Sequence, residues 1–214
     1  MELPPFIPLF PLPNVVLFPG VPLPLHVFEP RYCEMVRDAL AGPGIVGMVL
    51  LRGAWEDEYY GAPEVYRVGC AARIVETTPL PEGKCNIVLA GMREFEIVSE
   101  QRERAYRQAS VSWRKQPPAR ALPPDLRAQI LRAIERSTGR SPEDVAGELL
   151  GDARLDDCAL VNFLAFWLAF SPVEKQCLLE SSGEARARRL LEILEFHVYM
   201  SQAGLSEAGP RHMH

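Results

Sequence analysis

Residues 7–20 read IPLFPLPNVVLFPG, and residues 21–32 continue as VPLPLHVFEPRY. Apolar side chains are interleaved with prolines throughout this stretch, and nine of the chain's 20 prolines fall in the first 30 residues. Proline lacks the backbone N–H that a strand in the middle of a sheet donates to its neighbour. The stretch therefore predicts short extended segments at Phe6–Phe10 and Val15–Phe18, with Phe18-Pro19-Gly20 as a turn, rather than a set of central strands.

In the residues that follow, the spacing of apolar side chains changes twice. Residues 29–41 place apolar side chains on one helical face, with Pro30 suited to the first turn and Gly42-Pro43 as a stop signal. From Gly44 to Trp113 the pattern is that of β-structure, with Glu82-Gly83 as a hairpin turn. The predicted strands are Ile45–Leu51, Val65–Val75, Asn86–Ala90, Glu94–Val98 and Ala105–Trp113. Many short strands with one helix indicate a compact, partly closed barrel.

A cluster of four prolines between Gln116 and Pro124 separates this part from a helical one. After it the apolar residues recur with a helical period to about residue 203. Three predicted helix starts, at Ser141, Ser171 and Ser181, place a hydroxyl at the N-cap and a carboxylate three residues later. The sequence thus predicts a β-rich subdomain at residues 1–116, a proline-rich linker at 117–124, a helical subdomain at 125–204 and a flexible tail at 205–214.

The proline-rich opening closely resembles the start of the N-terminal, substrate-binding domain of Lon proteases. Residues 69–74 (GCAARI) and 91–95 (GMREF) resemble inner strands of that family, and residues 174–180 (EKQCLLE) resemble its helical portion. The resemblance implies an α+β fold, in which a PUA-like β pseudo-barrel is followed by a small α-helical bundle. It also implies a function, because this region of Lon engages unfolded or tagged protein substrates. We expect a stand-alone form of the domain, without the ATPase and peptidase domains.

The motifs of the Lon ATPase and peptidase are absent from the sequence. A phosphate-binding loop needs glycines before a Lys-Ser/Thr pair, whose amides, ammonium and hydroxyl hold phosphates and magnesium. The only Gly-Lys pair, Gly83-Lys84, is followed by Cys85, and no lysine lies near a glycine-framed serine that it could activate. We therefore expect a chain that is not an enzyme and that holds no cofactor or metal.

Two histidines and a cysteine leave one catalytic alternative open. Cys33 with His26 or His197 could supply a thiol nucleophile and its base. His26 lies in an apolar, proline-rich segment and His197 on a helix face, so we interpret both as structural. A hydrolase with an unrecognised thiol site is the alternative.

Charge and cysteine usage narrow the class of protein further. The formal net charge is −5, and residues 1–116 carry 12 basic and 14 acidic side chains while residues 117–214 carry 11 and 14. Neither part supplies a basic surface, so we expect no nucleic-acid partner, although PUA-like barrels elsewhere bind RNA and this is a second alternative. The longest strongly apolar stretch, Cys158–Phe170, falls short of the roughly 20 residues that cross a membrane. Five cysteines without a CxxC pair, and no basic signal region, predict a cytoplasmic protein.

The segment Trp55-Glu56-Asp57-Glu58-Tyr59-Tyr60 is the candidate partner-binding site. It falls between two predicted strands and therefore forms a loop, yet half of its side chains are aromatic. Large aromatic side chains on a loop are typical of protein-binding surfaces. Trp55, Tyr59 and Tyr60 are the predicted contacts with protein substrates or partners, unless the loop folds back on the barrel.

Overall fold

The computed structural model describes residues 3–56, 61, 63–116, 121–140 and 156–203. These residues fall into two compact units, one within residues 1–118 and 162–180 and the other within 119–161 and 181–214. The predicted subdomain boundaries stay predictions. The first unit includes residues 162–180, which the sequence pattern groups with the helical subdomain.

Six strands form a sheet that closes on itself. They are β1 (Phe6–Leu12), β2 (Pro22–Val27), β3 (Ile45–Leu50), β4 (Val68–Pro79), β5 (Cys85–Gln101) and β6 (Gln108–Trp113). Their order is β2-β5-β4-β3-β1-β6, and β6 also pairs with β5. Five strands thus form a ring, and β2 is added to β5 as an edge strand. The predicted α+β class and pseudo-barrel are confirmed.

The long strand β5 joins two predicted strands into one. Its first half pairs with β2 and with the end of β4, and its second half pairs with β6 and with the start of β4. Ala71 pairs with Arg93 and Ala72 with Gly91, which leaves Met92 as an extra residue in β5. Such a bulge interrupts the alternation of inward and outward side chains without ending the strand. The alternation therefore predicted a break where the strand continues.

The segment predicted to be extended at Val15–Phe18 pairs with no strand, and β2 lies further along the chain. The predicted turn between them is confirmed: Gly20 has a φ of +81°, and the Val21 N–H donates to the Phe18 carbonyl at 3.2 Å. The proline-rich stretch thus contributes β1 to the sheet, and β2 begins seven residues after the start of the second predicted segment. Its prolines are tolerated there because β2 is an edge strand.

The first unit has an apolar core centred on Phe95, which is fully buried. Burying one large apolar side chain stabilises a fold by roughly 1.5–3 kcal/mol. A Cβ atom on Gly69 would lie 2.7 Å from the Phe95 ring and 2.5 Å from the Met48 carbonyl oxygen. Glycine at this position therefore leaves the space that the ring fills. The other members of the cluster are Ile7, Leu9, Ile45, Val49, Ala71, Ile97, Ala109 and Val111.

Helices complete the first unit. Helix α1 (Pro30–Leu40) lies within the helix predicted at residues 29–41, with Pro30 in its first turn. Helix α3 (Asp157–Trp167) contributes its residues from 162 onward, and α4 (Pro172–Glu180) follows it. The predicted capping box of α4 is confirmed, because the Ser171 N–H donates to Glu174 Oε2 at 2.7 Å and the Glu174 N–H donates to Ser171 Oγ at 3.3 Å.

The second unit contains α2 (Pro124–Thr138) and α5 (Gly183–Gln202), which pack on each other. Helix α2 ends at Gly139, whose φ of 68° is the left-handed conformation of a helix C-cap. The N-cap of α5 is Ser182, without a side-chain cap hydrogen bond, so the start predicted at Ser181 is wrong. The start predicted at Ser141 and the tail predicted at 205–214 lie outside the described residues.

Candidate partner-binding surface

The position of β2 is fixed by backbone contacts at its start. The Gly20 N–H donates to the Gly91 carbonyl at 2.9 Å, and the Gly91 N–H donates to the Val21 carbonyl at 3.0 Å. A Cβ atom on Gly91 would lie 2.1 Å from the Phe18 carbonyl oxygen. Only glycine permits this close approach of two backbone segments. The glycine that opens the GMREF segment therefore holds β2 against β5.

The outer edge of β2 has few backbone donors. Because Val21 is hydrogen-bonded to Gly91, the odd-numbered residues of β2 face β5 and the even-numbered residues direct their backbone groups away from it. Pro22 and Pro24 occupy two of these outward positions and have no N–H to donate. A partner strand therefore cannot form a regular ladder along this edge. Contacts between β2 and a partner therefore depend mainly on side chains, with the outward carbonyls as backbone acceptors.

The outward side chains of β2 and its neighbours form a surface that we call the β2 face. Its members are Pro24, His26, Phe28, Glu76, Thr78, Asn86 and Val88.

Phe28 is the most exposed aromatic side chain of the β2 face, with 58% of its surface accessible. Its ring stacks on His26, with the centroids 5.8 Å apart and 21° between the planes. His26 Nδ1 lies 2.8 Å from Oδ1 of Asn86 on β5. An amide oxygen can only accept a hydrogen bond, so the His26 imidazole is the donor, from Nδ1. The phenylalanine ring is thus supported by a side chain that is itself fixed to the sheet.

Beside this aromatic pair the β2 face has a shallow depression with a volume of about 280 Å³. Pro24 and Val88 supply apolar surface to it, and Thr78 and Asn86 supply hydrogen-bonding groups. Glu76 is the one charged side chain among its described lining residues. A surface of this kind can bury aliphatic and aromatic side chains of a partner while its rim bonds to the partner's polar groups.

The predicted contacts Trp55, Tyr59 and Tyr60 are only in part within the described residues. In sequence, their segment lies between Leu51 and Val65, which pair in an isolated antiparallel bridge. Trp55 is half-buried, and its backbone N–H donates to the Gly53 carbonyl at 3.1 Å. Tyr59 and Tyr60 lie outside the described residues. That this segment contacts protein partners stays a prediction.

Trp167 on α3 is exposed, although it lies in an apolar stretch of the sequence. Phe163 and Phe170 in this apolar stretch are buried, but Trp167 is 49% exposed. The Trp167 ring packs against Phe163 and Phe166, with centroids 5.8 and 5.5 Å away. This part of the sequence is apolar in almost every position, so its pattern distinguishes no outward face. The sequence pattern identifies neither Phe28 nor Trp167 as an exposed aromatic residue.

The residues of the thiol alternative are occupied by other contacts. The His26 ring is held by Asn86 and Phe28, while Cys33 Sγ lies 3.7 Å from the Val27 carbonyl oxygen, and no hydrogen bond joins the two side chains. Burial, with a smaller contribution from Cys33, raises the pKa of the Cys85 thiol. A nucleophilic cysteine needs the opposite shift, toward the thiolate.

Within the described ranges, no group of three or more His, Cys, Asp or Glu side chains is arranged to bind a metal ion. The helices of the described chain are all too short or too polar to cross a membrane.

Sequence comparison relates the chain to one family over most of its length. A family model described as the ATP-dependent protease La (LON) substrate-binding domain matches residues 7–195. The Lon protease of Cytophaga hutchinsonii is 28% identical over 209 residues, which cover 93% of this chain and 25% of that protein. The Lon protease of Flavobacterium johnsoniae is 36% identical over 110 residues, which cover 51% of this chain and 13% of that protein. The chain therefore spans only about a quarter or less of the length of these relatives.

Solved structures give the same relation. A Lon N-terminal domain protein from Xanthomonas campestris matches with a TM-score of 0.64 and 26% identity, over 89% of this chain and 98% of that one. The N-terminal domain of the Mycobacterium avium complex Lon protease matches with a TM-score of 0.64 over 91% of this chain and 98% of that one. Its identity of 17% makes this second match a likeness of fold alone.

Proposed function

Because this chain belongs to the family of ATP-dependent protease La (LON) substrate-binding domains, we propose that it is a non-catalytic module that binds unfolded or extended segments of protein partners. The matching relatives are named as proteases, whose substrates are proteins. Substrate binding without catalysis needs a surface that recognises features common to many unfolded chains. Exposed aromatic and aliphatic side chains are such features, since native proteins bury most of them.

The observation that carries this proposal is the exposure of Phe28 on the rigid β2 face. A large aromatic ring that is already held in place buries much area on binding and loses little conformational entropy, which is why such residues dominate binding energies. The prolines at the edge of β2 prevent a partner from forming a regular backbone ladder there. The β2 face therefore favours segments rich in aromatic and aliphatic residues, and an extended backbone alone is not enough for binding.

The charge of the surface further restricts the segments that it binds. Glu76 is the charged group beside the depression, and the whole chain has a formal net charge of −5. Acidic segments are repelled by this field, whereas neutral or basic segments are not.

We also propose that the segment with Trp55, Tyr59 and Tyr60 is a second contact surface for proteins. Its support is the aromatic content of a loop whose acidic residues keep it in water. Replacing Trp55 with Ala should weaken binding without unfolding the first unit, and an unchanged affinity in a well-folded variant would place the contacts elsewhere.

The absence of catalysis is supported by the surroundings of the Gly83-Lys84 pair. It occupies the turn between β4 and β5, in which Glu82 has a φ of 62°. Lys84 Nζ lies 2.6 Å from Glu82 Oε2, so the ammonium is paired with a carboxylate rather than directed at a phosphate site. The expected result is no magnesium-dependent ATP turnover above a heat-inactivated control, in a preparation free of host Lon.

The five cysteines, none of which is in a disulfide, support a place in the reducing cytoplasm.

Binding of unfolded protein is tested directly with one protein in two states. A reduced and carboxyamidomethylated protein stays unfolded, and its native form exposes the same sequence far less. Fluorescence anisotropy should show binding of the unfolded form at least about tenfold tighter than of the native form, a difference of about 1.4 kcal/mol. Equal affinities for the two forms, or no binding of either, would contradict the proposal.

A further inference from the structure

A second concavity of the first unit has a chemistry unlike that of the β2 face. It has a volume of about 140 Å³ and lies among the end of β1, the start of α1 and the connection from β5 to β6. We call it the arginine pocket, because its wall contains Arg31, Arg102, Arg104 and Arg107. No carboxylate is among its described lining residues, so every charged group that lines it there is a cation.

Two of these arginines are fixed by acidic neighbours. Arg107 donates from Nε and Nη2 to the two carboxylate oxygens of Glu100, at 2.7 and 2.8 Å. Arg31 donates from Nε to Glu29 at 3.0 Å, and its guanidinium lies 4.6 Å from the centre of the Tyr32 ring. These contacts neutralise much of the charge of both groups and hold their orientation. Arg31 and Arg107 therefore form a rigid wall rather than the main source of positive potential.

Within the described residues, the other two arginines donate no hydrogen bond to a carboxylate. Arg104 Nη1 is 3.9 Å from the nearest Asp38 oxygen, and that same oxygen accepts a hydrogen bond from the Tyr106 hydroxyl at 2.7 Å. Burial first, and then the hydrogen bond to Asp38, raise the pKa of Tyr106 to about 12, so the phenol adds no negative charge near neutral pH. Arg102 is exposed and has no carboxylate partner within the part of the chain that the structure describes. Asp38 balances part of the Arg104 charge, but at 3.9 Å it does not occupy the N–H groups of Arg104 with a hydrogen bond. Arg102 and Arg104 thus both present guanidinium donors beside one small cavity.

We propose that the arginine pocket binds a single phosphate group, with Arg102 and Arg104 as the main ligands. The planar fork of a guanidinium pairs two N–H groups with two phosphate oxygens, and two such groups offer four donors to the oxygens of one phosphate. A long polyanion is disfavoured, because both parts of the chain are acidic and the cavity is small. The phosphate can be free in solution or esterified to a protein side chain, and both sources offer the same dianion.

Titration of the full chain with inorganic phosphate, at low and constant ionic strength, tests the site by calorimetry. Wild-type protein should bind phosphate saturably, and the double variant Arg102→Gln/Arg104→Gln should bind it at least about tenfold more weakly. The matched control is Arg132→Gln/Arg189→Gln, which removes the same two charges from exposed positions on α2 and α5. It should change the affinity by less than about twofold. No saturable binding by the wild type, or equal losses in the two double variants, would overturn the proposal.

Two peptides identify the source of the phosphate. One carries a single phosphoserine, and the other has an unmodified serine in the same sequence. Tighter binding of the phosphopeptide than of inorganic phosphate indicates a phosphorylated protein as the ligand, and equal or weaker binding indicates free phosphate. Sensitivity to Arg102→Gln/Arg104→Gln is required in both cases, and binding that survives this change overturns the assignment. Phe28→Ala should leave phosphate binding unchanged, so failure of this site and failure of the β2 face are distinguished.

Discussion

Phe95 and Phe28 are the same side chain in opposite settings on one sheet. Phe95 points into the ring of strands and has no accessible surface, whereas Phe28 follows β2 on the outside and is 58% exposed. The same contrast runs along the paired strands β2 and β5. Leu23, Val27, Ile87 and Leu89 face inward and are buried, while His26 and Asn86 face outward.

The difference in burial separates side chains that stabilise the fold from side chains that lie on its surface. Removing an inward side chain leaves a cavity in close-packed surroundings, whereas removing an outward one leaves a space that water fills. An exposed phenylalanine adds little to the free energy of folding. Its support by His26 and Asn86 is therefore better explained by contact with a partner than by the stability of the barrel.

The largest expected effect is on the stability of the inward position. Phe95→Ala should lower the free energy of unfolding by about 3–5 kcal/mol, since it empties the centre of the ring. Phe28→Ala should change it by no more than about 0.5 kcal/mol. Urea unfolding of the two variants measures both values. Similar losses in the two variants would show that Phe28 is part of the core and not of a binding surface.

The second prediction concerns binding, for which the exposed position Phe28 should matter. Phe28→Ala should weaken binding of an unfolded protein by about 2 kcal/mol, or roughly 30-fold, because the ring is the anchor of the β2 face. Phe196 on α5 is a matched control, with 56% of its surface exposed in the second unit. Phe196→Ala should leave the affinity unchanged. Equal losses in the two variants would mean that any exposed phenylalanine contributes, and that the β2 face has no special role.

Sequence patterns predicted the ring better than its edge. Alternation of inward and outward residues identifies the strands of the ring because each has a buried side. The edge strand β2 was missed, since proline at every second position argues against a strand unless its missing N–H faces away from the neighbour. Pro22 and Pro24 satisfy that condition, but the condition depends on which side β5 lies. A single sequence does not contain that information.

The candidate surfaces were harder to predict for a related reason. The pattern of Pro24, His26 and Phe28 shows that the three side chains share one side of an extended segment. It does not show that this side faces water. The arginine pocket combines Arg31 with residues 102–107, which are brought together only by closure of the ring. Such long-range convergence leaves no periodic signal in the sequence.

The start of α4 and the start of α5 extend the comparison to helix caps. Ser171 exchanges hydrogen bonds with Glu174, whereas Ser182 makes no side-chain cap hydrogen bond. Ser171→Ala should therefore lower the free energy of unfolding by about 1 kcal/mol, and Ser182→Ala by no more than a few tenths, about 0.3 kcal/mol. Urea unfolding of both variants measures the difference. A greater loss for Ser182→Ala would show that side-chain capping does not distinguish the two starts.

The last expected effect concerns Tyr106, which is buried beside the arginine pocket and donates to Asp38 at 2.7 Å. Its pKa is raised from 10.0 to about 12, so the folded state favours the protonated phenol more than the unfolded state does. The stabilisation is therefore complete below about pH 10 and is lost as the pH rises from 10 toward 12. At pH 8, Tyr106→Phe should lower the free energy of unfolding by about 1 kcal/mol, the value of one hydrogen bond. That deficit should shrink between pH 10 and pH 12, because only the wild type has a phenol to ionise.

Urea unfolding at a series of pH values measures this deficit, with Tyr199→Phe as the control. Tyr199 is 66% exposed on α5, so its replacement should change the stability little at any pH. A deficit of Tyr106→Phe that stays constant up to pH 12 would mean that the hydroxyl contributes through packing alone. It would also mean that Tyr106 does not hold Asp38, so that Asp38 is available to pair more closely with Arg104, which now lies 3.9 Å away. The same measurement therefore bears on the positive charge that the arginine pocket offers to a phosphate.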